Sequence, residues 1–467
     1  MSSHVHDLHL SFWYLHLLSL EQSKNNNNNN NATYHPTDRP RTMRFRRNKS
    51  GNGNRSYCNN RCFAVLSVVA LMSGGLMTFH DGVTLEIAYY QSLLPVVNNT
   101  GGYSHKGVMS GLNGVPQAGL LFECRRDSSF ALNYTDGGMG EGRSAVKEDI
   151  AALSAQLGIS LQPPAQGYQI WQRPGPQQAY KGSLPLQMDG FDPVCSQNVT
   201  FTSNSNWFRD NLISRCRTMP RERALAFVLA NLISLDGKKE ALRIHESSPN
   251  PFGLSTQLKT LFGSNSYKAS QYSPKVSCGN PIDGSSAISL DLEQQSCIQD
   301  ASFDIVVSQD VFEHIYNPKR AFAEIARTLK PGGFHIFTVP ITSKWYPTFV
   351  AAERTESGDV LLHAPPEIHG NPMGAGGSLL THQWGFDIVN VIQEASGMET
   401  YVIYTNGEII GVNDAEYREI FVSRKSGTNS NFPQMWETLD ALVKGGAASS
   451  GPSWARNMIT CNVQNGS

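Results

Sequence analysis

The sequence has little charge and no closely paired cysteines. Lys and Arg together number 38 and Asp and Glu 39 in 467 residues, which gives a formal net charge of −1. A chain this close to neutral has no basic excess for a polyanion, so we expect no nucleic-acid partner. None of the eight cysteines forms a Cys-x-x-Cys pair, so neither a zinc ribbon nor a thioredoxin-type site is indicated.

The strongest pattern is a βαβ unit in residues 302–340. Phe303 begins a short β-branched run, DIVV, typical of a strand buried on both faces. Pro318 begins a helix with apolar residues at helical spacing, and the LKPGG sequence ends it. Phe334 begins the next buried strand. Such units imply parallel strands with a ligand crevice at their carboxyl ends.

FDIVVSQDVFEH followed by EIARTLKPGG resembles the middle motifs of class I S-adenosylmethionine-dependent methyltransferases, of the type called methyltransferase 11. The resemblance implies an α/β, Rossmann-like fold with a seven-stranded, mostly parallel sheet flanked by helices, and S-adenosyl-L-methionine as cofactor. It also marks Asp310, Glu313 and His314 as catalytic candidates. His314 would orient an acceptor hydroxyl or take its proton. Alternatively, Glu313 caps a helix and His314 packs over the cofactor.

The same resemblance places the cofactor at the ends of the first three strands. The first strand, residues 241–245, leads through a turn to Gly253 and a helix whose amides can receive a carboxylate. The usual glycine-rich loop is missing. Ser270 and Gln271 stand where the family has an acid for the ribose, and Asp291 is the candidate for the adenine amino group or a solvated loop acid. The predicted cofactor-binding residues are His245, Glu246, Ser248, Gly253, Ser270, Gln271, Asp291, Leu292 and Asp310.

A long insertion separates the fifth strand from the next helix, which we predict at residues 386–396. Loops of this length inside a domain are commonly functional. We predict a substrate-binding lid containing His363, Glu367, His369 and Trp384, with a structural loop as the alternative. The histidine spacing matches no metal motif, so we predict no metal.

The amino-terminal region suggests a membrane anchor. Residues 62–79 carry no charge, arginines precede them, and Asp81 and Glu86 follow, which favours a signal anchor with a cytoplasmic amino terminus. A cleaved signal peptide and a buried helix are the alternatives. The predicted organisation is a disordered basic segment (1–61), the anchor (62–79), a stem or linker (80–191) with one helix in residues 144–157, the methyltransferase domain (192–425), and a carboxy-terminal helix with a flexible tail (426–467).

This orientation would place the domain in the lumen of the endoplasmic reticulum or Golgi. Four sequons would then meet the glycosylation machinery, at Asn98, Asn133, Asn198 and Asn465. Six cysteines would also be lumenal, where disulfides are permitted. A Cys195–Cys216 disulfide fits that setting, and two free thiols are the alternative.

From these observations we predict a methyltransferase that O-methylates a glycan or small-molecule acceptor in the secretory pathway, held to the membrane by one amino-terminal helix. One alternative is an inactive binding or scaffold protein that keeps the fold, because the glycine-rich loop and the ribose acid are missing. A second is a type II membrane glycosyltransferase, although the sequence has no Asp-x-Asp triplet.

Overall fold

The computed structural model describes residues 45–47, 76–78, 83–86, 96–97, 103–127, 150–164, 180–233, 241–343, 347–371, 374–429, 432, 435–444 and 456–466. The chain divides into two compact units, residues 1–92 and 93–467. The strands are β1 (Phe45–Arg47), β2 (Leu76–Thr78), β3 (Val83–Glu86), β4 (Val96–Val97), β5 (Tyr103–Ser110), β6 (Pro116–Arg126), β7 (Leu161–Gln162), β8 (Leu186–Asp192), β9 (Gln197–Ser203), β10 (Ile244–Ser247), β11 (Tyr267–Gln271), β12 (Ile288–Ser289), β13 (Phe303–Gln309), β14 (Leu329–Thr338), β15 (Phe349–Val350), β16 (Ala352–Arg354), β17 (Val360–Leu362), β18 (Ile368–Asn371), β19 (Gly374–Leu379), β20 (His382–Gln383), β21 (Glu399–Asn406), β22 (Glu419–Arg424) and β23 (Met458–Asn465). The α-helices are α1 (Ile150–Leu157), α2 (Phe208–Asn211), α3 (Pro220–Phe227), α4 (Leu254–Ser266), α5 (Pro318–Thr328), α6 (Ile388–Ser396) and α7 (Met435–Lys444).

In the first unit, the described residues form a small antiparallel sheet in the order β1-β3-β2. Most of the predicted anchor, residues 62–79, lies outside the described residues, and its described part is strand β2. Within the described ranges, no helix has the length and hydrophobicity needed to cross a bilayer.

The second unit contains the predicted methyltransferase sheet. Seven neighbouring strands run in the order β12-β11-β10-β13-β14-β22-β21. The first five are mutually parallel, and β22 lies antiparallel to both β14 and β21. The prediction of a mostly parallel seven-stranded sheet is therefore confirmed.

The predicted βαβ unit is present, and its first strand and its helix begin at the predicted residues, Phe303 and Pro318. Its second strand, predicted from Phe334, begins at Leu329, so the LKPGG sequence belongs to β14. All seven residues of β13 are buried, as the apolar run requires. At the start of α5, the side chain of Asn317 accepts a hydrogen bond from the Arg320 amide, and Pro318 occupies the first helical turn, where its missing N–H costs nothing. This tightly specified unit fixes where β13 ends.

The sheet continues beyond the predicted domain, which corrects the predicted stem and tail. Beyond β21 it adds β23, β6, β5 and β4, so residues from both predicted accessory regions are sheet strands. Cys124 on β6 lies opposite Cys461 on β23, and the two form a disulfide. The short alternating MITCNVQN segment follows a Gly/Ser-rich run, which hid the strand from sequence reasoning.

Helices cover both faces of the sheet, with a separate hydrophobic core on each. Side chains of α3, α4 and α7 share one core with the sheet, and side chains of α5 and α6 share the other. Helix α1 packs separately, against β7 and the insertion strands. The two cores hold β10 and β13 side by side, and so position their carboxyl ends.

Two further disulfides hold loops of the domain. Cys195 pairs with Cys216, as predicted, and Cys278 pairs with Cys297. Because the Cys195 and Cys216 thiols are used in this bond, they are not free to bind zinc.

Candidate active site

The candidate site lies where the connections of the parallel sheet change direction, between β10 and β13. Chain connections lead from β10 toward β11 on one side and from β13 toward β14 on the other, and such a switch point opens a crevice. Each strand is followed by a residue with positive φ: Ser248 at 55° after β10, and Asp310 at 50° after β13. Non-glycine residues seldom adopt this conformation, and it concentrates at functional sites.

Asp310 is held by two arginines that precede the first methyltransferase strand. Its Oδ2 lies 2.6 Å from an amino nitrogen of Arg209 and 2.9 Å from Nε of Arg221, while Oδ1 accepts a hydrogen bond from the Thr338 hydroxyl at 3.0 Å. Burial alone would raise the pKa of the Asp310 carboxyl, but Arg221 and Arg209 outweigh it and hold that pKa below its usual value. Asp310 is therefore a carboxylate at neutral pH.

Glu313 and His314 follow in a short 3₁₀ turn, Phe312–His314. The Glu313 side chain is 2% exposed, and burial together with the Asp310 charge raises its pKa to about 8. Its Oε2 has no hydrogen-bond partner among the described residues. Burial lowers the pKa of His314 to about 4, so its ring is neutral at neutral pH. Because Nδ1 lies 2.9 Å from the Leu379 carbonyl and must donate to it, Nε2 keeps its lone pair.

The insertion brings part of the predicted lid to this turn. The β18–β19 hairpin carries His369, whose ring centroid lies 5.1 Å from that of His314. Glu367 Oε1 lies 3.1 Å from His369 Nε2. The backbone amide of Thr381 donates to the Glu313 carbonyl at 2.7 Å, which ties the end of the hairpin to the turn.

The other two predicted lid residues have different environments. Trp384 is 1% exposed and stacks on His382 within a hydrophobic core, so it presents no face for a sugar, and its assignment to substrate binding is corrected. His363 pairs with Glu353 at 3.1 Å instead of joining the Glu367–His369 pair. The sequence could not show which of these four residues are buried, because the short strands of the insertion, such as AER and IHGN, carry no clear apolar pattern.

Three predicted cofactor residues are packed inside the sheet. His245 is fully buried, stacks on Phe303, and has Nε2 2.7 Å from the Ser270 hydroxyl. The Glu246 carboxylate accepts hydrogen bonds from Ser255 and Tyr267, each at 2.6 Å. The side chains of His245 and Ser270 thus form a buried hydrogen bond with each other, which corrects their assignment as cofactor ligands.

The start of α4 is occupied by a carboxylate of the chain itself. Glu222 Oε1 accepts from the Leu254 amide at 3.3 Å, and Oε2 accepts from the Met219 amide at 2.9 Å. A Cβ at Gly253 would lie 2.5 Å from Glu222 Oε1, and Gly253 has a φ of 64°. Gly253 is thus required, as predicted, but the carboxylate that it admits is Glu222.

The third strand places its acid in a turn. Asp291 Oδ1 accepts from the Glu293 amide at 2.8 Å, and the residue is partly exposed. Leu292 is buried in the core beside α5, and Gln271 is buried at the end of β11. Asp291 remains the candidate acid for the adenine end.

Sequence reasoning missed three residues of the site. Arg209 and Arg221 lie about a hundred residues before Asp310, and only the Arg-Glu-Arg sequence marked one of them. Gln309 ends β13; its amide nitrogen lies 3.5 Å from Glu246, and its Oε1 is buried without a hydrogen-bond partner in the described ranges. The available signal was a polar residue at the buried carboxyl end of a strand with an apolar centre.

These residues fit S-adenosylmethionine at the switch point. Buried acceptors that lack a partner are costly unless a ligand or water satisfies them, and Gln309 Oε1, at the end of β13, is such an atom among the described residues. The Asp310 carboxylate, just after β13, also suits the neighbourhood of a sulfonium cation. At the α4 end the fit depends on the backbone after Ser248, because Glu222 already uses an α4 amide.

Comparison with known proteins agrees with this geometry. Residues 266–337 match the family model described as a methyltransferase domain. Over 122 residues the chain is 28% identical to a glycine/sarcosine/dimethylglycine N-methyltransferase of Actinopolyspora halophila, which covers 26% of this chain and 20% of that protein. Over 62 residues it is 40% identical to a dimethylglycine N-methyltransferase of Parasynechococcus marenigrum (strain WH8102), which covers 11% and 22%. The chain thus spans about a fifth of the length of these relatives.

Solved structures of similar proteins include an S-adenosylmethionine-dependent methyltransferase from Mesorhizobium loti. It is 16% identical with a TM-score of 0.28, and the match covers 42% of this chain and 97% of that one. The family match and the sheet order agree: residues 266–337 match a methyltransferase domain, and the sheet around them has the order expected of the class I, S-adenosylmethionine-dependent type.

Proposed function

We propose that the protein transfers a methyl group from S-adenosylmethionine to a hydroxyl of a glycan or small-molecule acceptor in the secretory pathway. The observation that carries this proposal is the grouping of Asp310, Glu313 and His314 at the carboxyl end of β13, with unpaired buried acceptor atoms at the switch point. The family match supports the methyl-transfer chemistry.

When bound, S-adenosylmethionine would supply an electrophilic methyl group on a sulfonium sulfur, with the neutral thioether S-adenosylhomocysteine as the leaving group. The protein's part is to align and to exclude water. Gln309 would receive a donor group of the cofactor through Oε1, and Asp291 would receive the adenine amino group. Asp310 is held in place by two arginines and would keep a negative charge at a defined position beside the reacting atoms.

The acceptor would lie between the 3₁₀ turn and the β18–β19 hairpin. An acceptor hydroxyl can donate to His314 Nε2, which keeps its lone pair, whereas Glu313, with its raised pKa, is mostly protonated at neutral pH. As the oxygen bonds to the methyl carbon, its proton passes to His314 Nε2 and then to water. The hairpin, tied to the turn through Thr381, would shield the acceptor from solvent.

The cysteines support the proposed compartment. Each of the six cysteines in the described ranges forms a disulfide, a pattern typical of oxidising compartments and rare in the cytosol. The sequon residues Asn198 and Asn465 are both exposed on strands. We expect peptide N-glycosidase F to increase the gel mobility of protein made in a eukaryotic secretory system. No change in mobility would contradict this localisation.

A transfer assay tests the activity. The full chain is incubated with methyl-labelled S-adenosylmethionine and separately with fractionated glycans, lipids, small molecules and proteins. We expect label in an acid-stable product of one fraction, lost in His314→Ala, which removes Nε2, and retained in the exposed control Glu394→Gln. Label on an amine would overturn the hydroxyl assignment. No label in any fraction, with a folded protein, would favour the scaffold alternative.

A further inference from the structure

We infer that Glu313, His314 and His369 bind one divalent transition-metal ion, with zinc as the best match. One carboxylate oxygen and one nitrogen of each imidazole lie within 4.8 Å of one another. Two histidines and a glutamate form a known zinc ligand set that leaves a position open for water or substrate. The sequence suggested no metal because these ligands come from a turn and a hairpin 55 residues apart, with no motif spacing.

An unpaired atom points to a missing ligand. Glu313 is 2% exposed, and its Oε2 has no hydrogen-bond partner among the described residues. Its other oxygen, Oε1, lies 3.8 Å from His314 Nε2, too far for a direct hydrogen bond. A bound cation would satisfy the Glu313 carboxylate, which, within the described part of the chain, receives no side-chain hydrogen bond at Oε2 and none from His314 at Oε1.

The surroundings also match those of metal-binding histidines, which usually donate their second ring nitrogen to a carbonyl or carboxylate. His314 Nδ1 donates to the Leu379 carbonyl at 2.9 Å, which turns the lone pair of Nε2 toward Glu313. His369 is held by the Glu367 carboxylate at 3.1 Å, so the hairpin supplies both a ligand and its orienting partner.

This inference rests on the proposed function only for the role of the ion. With the ion bound, His314 Nε2 is a metal ligand and no longer accepts the hydroxyl proton. An acceptor hydroxyl at the open position would instead lose its proton to water, and more readily, because a bound divalent cation lowers the pKa of a coordinated oxygen. Binding of the ion itself requires neither a cofactor nor an acceptor. The two proposals therefore fail separately.

The test is zinc binding by the full chain after chelation and dialysis, measured by calorimetry and by elemental analysis. Wild type should bind one zinc per chain. His369→Ala should weaken binding at least tenfold, and Glu367→Gln should weaken it about tenfold. The matched control His363→Ala removes a histidine of the same insertion that pairs with Glu353, and it should bind as wild type does.

Cobalt provides a second readout. Substituted wild-type protein should show the intense visible bands of a four- or five-coordinate site, and His369→Ala should not. Absence of stoichiometric zinc, or equal affinity in wild type and His369→Ala, would overturn the metal site. Zinc binding without any methyl transfer would overturn the proposed function and leave the site standing. Because His369 is partly exposed on a hairpin, its replacement spares the core.

Discussion

Asp310→Asn should destabilise the protein because it leaves two cations without their shared anion. The side chains of Asp310, Arg209 and Arg221 are 14%, 18% and 10% exposed, so water screens the triad poorly. Removing one member of a buried ion pair costs about 3–5 kcal/mol. Asp210 still contacts both arginines, at 2.9 and 2.8 Å, and offsets part of this cost. We therefore expect a loss of roughly 2–3 kcal/mol of unfolding free energy.

The Asn substitution isolates the charge. Asn tolerates positive φ, so the backbone at 50° is not strained, and its Oδ1 can still accept from Thr338. Asp310→Ala loses this bond and adds about 1 kcal/mol of backbone strain, so it should be the less stable variant. Urea denaturation of the full chain measures both.

A double-mutant cycle with Arg209→Met identifies the source of the effect. If the cost comes from an uncompensated cation, the double variant should lose less unfolding free energy than the two single variants lose together, by about 1 kcal/mol or more. Additive losses, or an Asp310→Asn variant within about 0.5 kcal/mol of wild type, would refute the reasoning.

Three further predictions concern stability. Burial lowers the pKa of His335 to about 3 in the folded chain, so the stability that the neutral ring contributes is complete above pH 6.5 and is lost as the pH falls toward 3. His335→Gln should therefore reduce the slope of unfolding free energy against pH, between pH 6 and 4, by about 1.4 kcal/mol per pH unit. An unchanged slope would contradict this. Gly253→Ala should lower the melting temperature more than Gly263→Ala, because both have φ of 64° but only Gly253 faces Glu222; equal shifts would count against the contact. Cys461→Ala should cost about 2–5 kcal/mol by opening the disulfide between β6 and β23, and a variant as stable as wild type would refute its role.

The βαβ unit was predictable because its local signals agree. The apolar run of β13 and the Asn317 cap with Pro318 indicate where β13 and α5 begin, and the observed α5 ends within one residue of the prediction. The start of β14 was wrong by five residues, because the LKPGG sequence that ends the helix also begins the strand. The sequence also predicts strands at residues 267–271 and 419–424, and these are the observed bounds of β11 and β22. Where pattern and turn chemistry coincide, sequence alone is sufficient.

The added strands were not predictable for a physical reason. β23 pairs with β6 across more than 300 residues, and nothing local to either strand records that pairing. The same limit applied to the site. Arg209 and Arg221 reach Asp310 only through the tertiary fold, while His369 reaches His314 through a hairpin whose residues carry no motif. His245 was assigned to the cofactor from its position at a strand end, but it is buried in the core. The alternation of residues along a strand does not reveal which polar side chains find hydrogen-bond partners inside the protein.

The most direct test of the account is calorimetric titration of the purified full chain with S-adenosylmethionine. The account predicts saturable binding with one site per chain, displaced by S-adenosylhomocysteine and weakened at least tenfold in Gln309→Leu, which removes the unpaired acceptor at the end of β13. Folded protein that gives no binding heat at several temperatures and leaves S-adenosylmethionine free in equilibrium dialysis would contradict it.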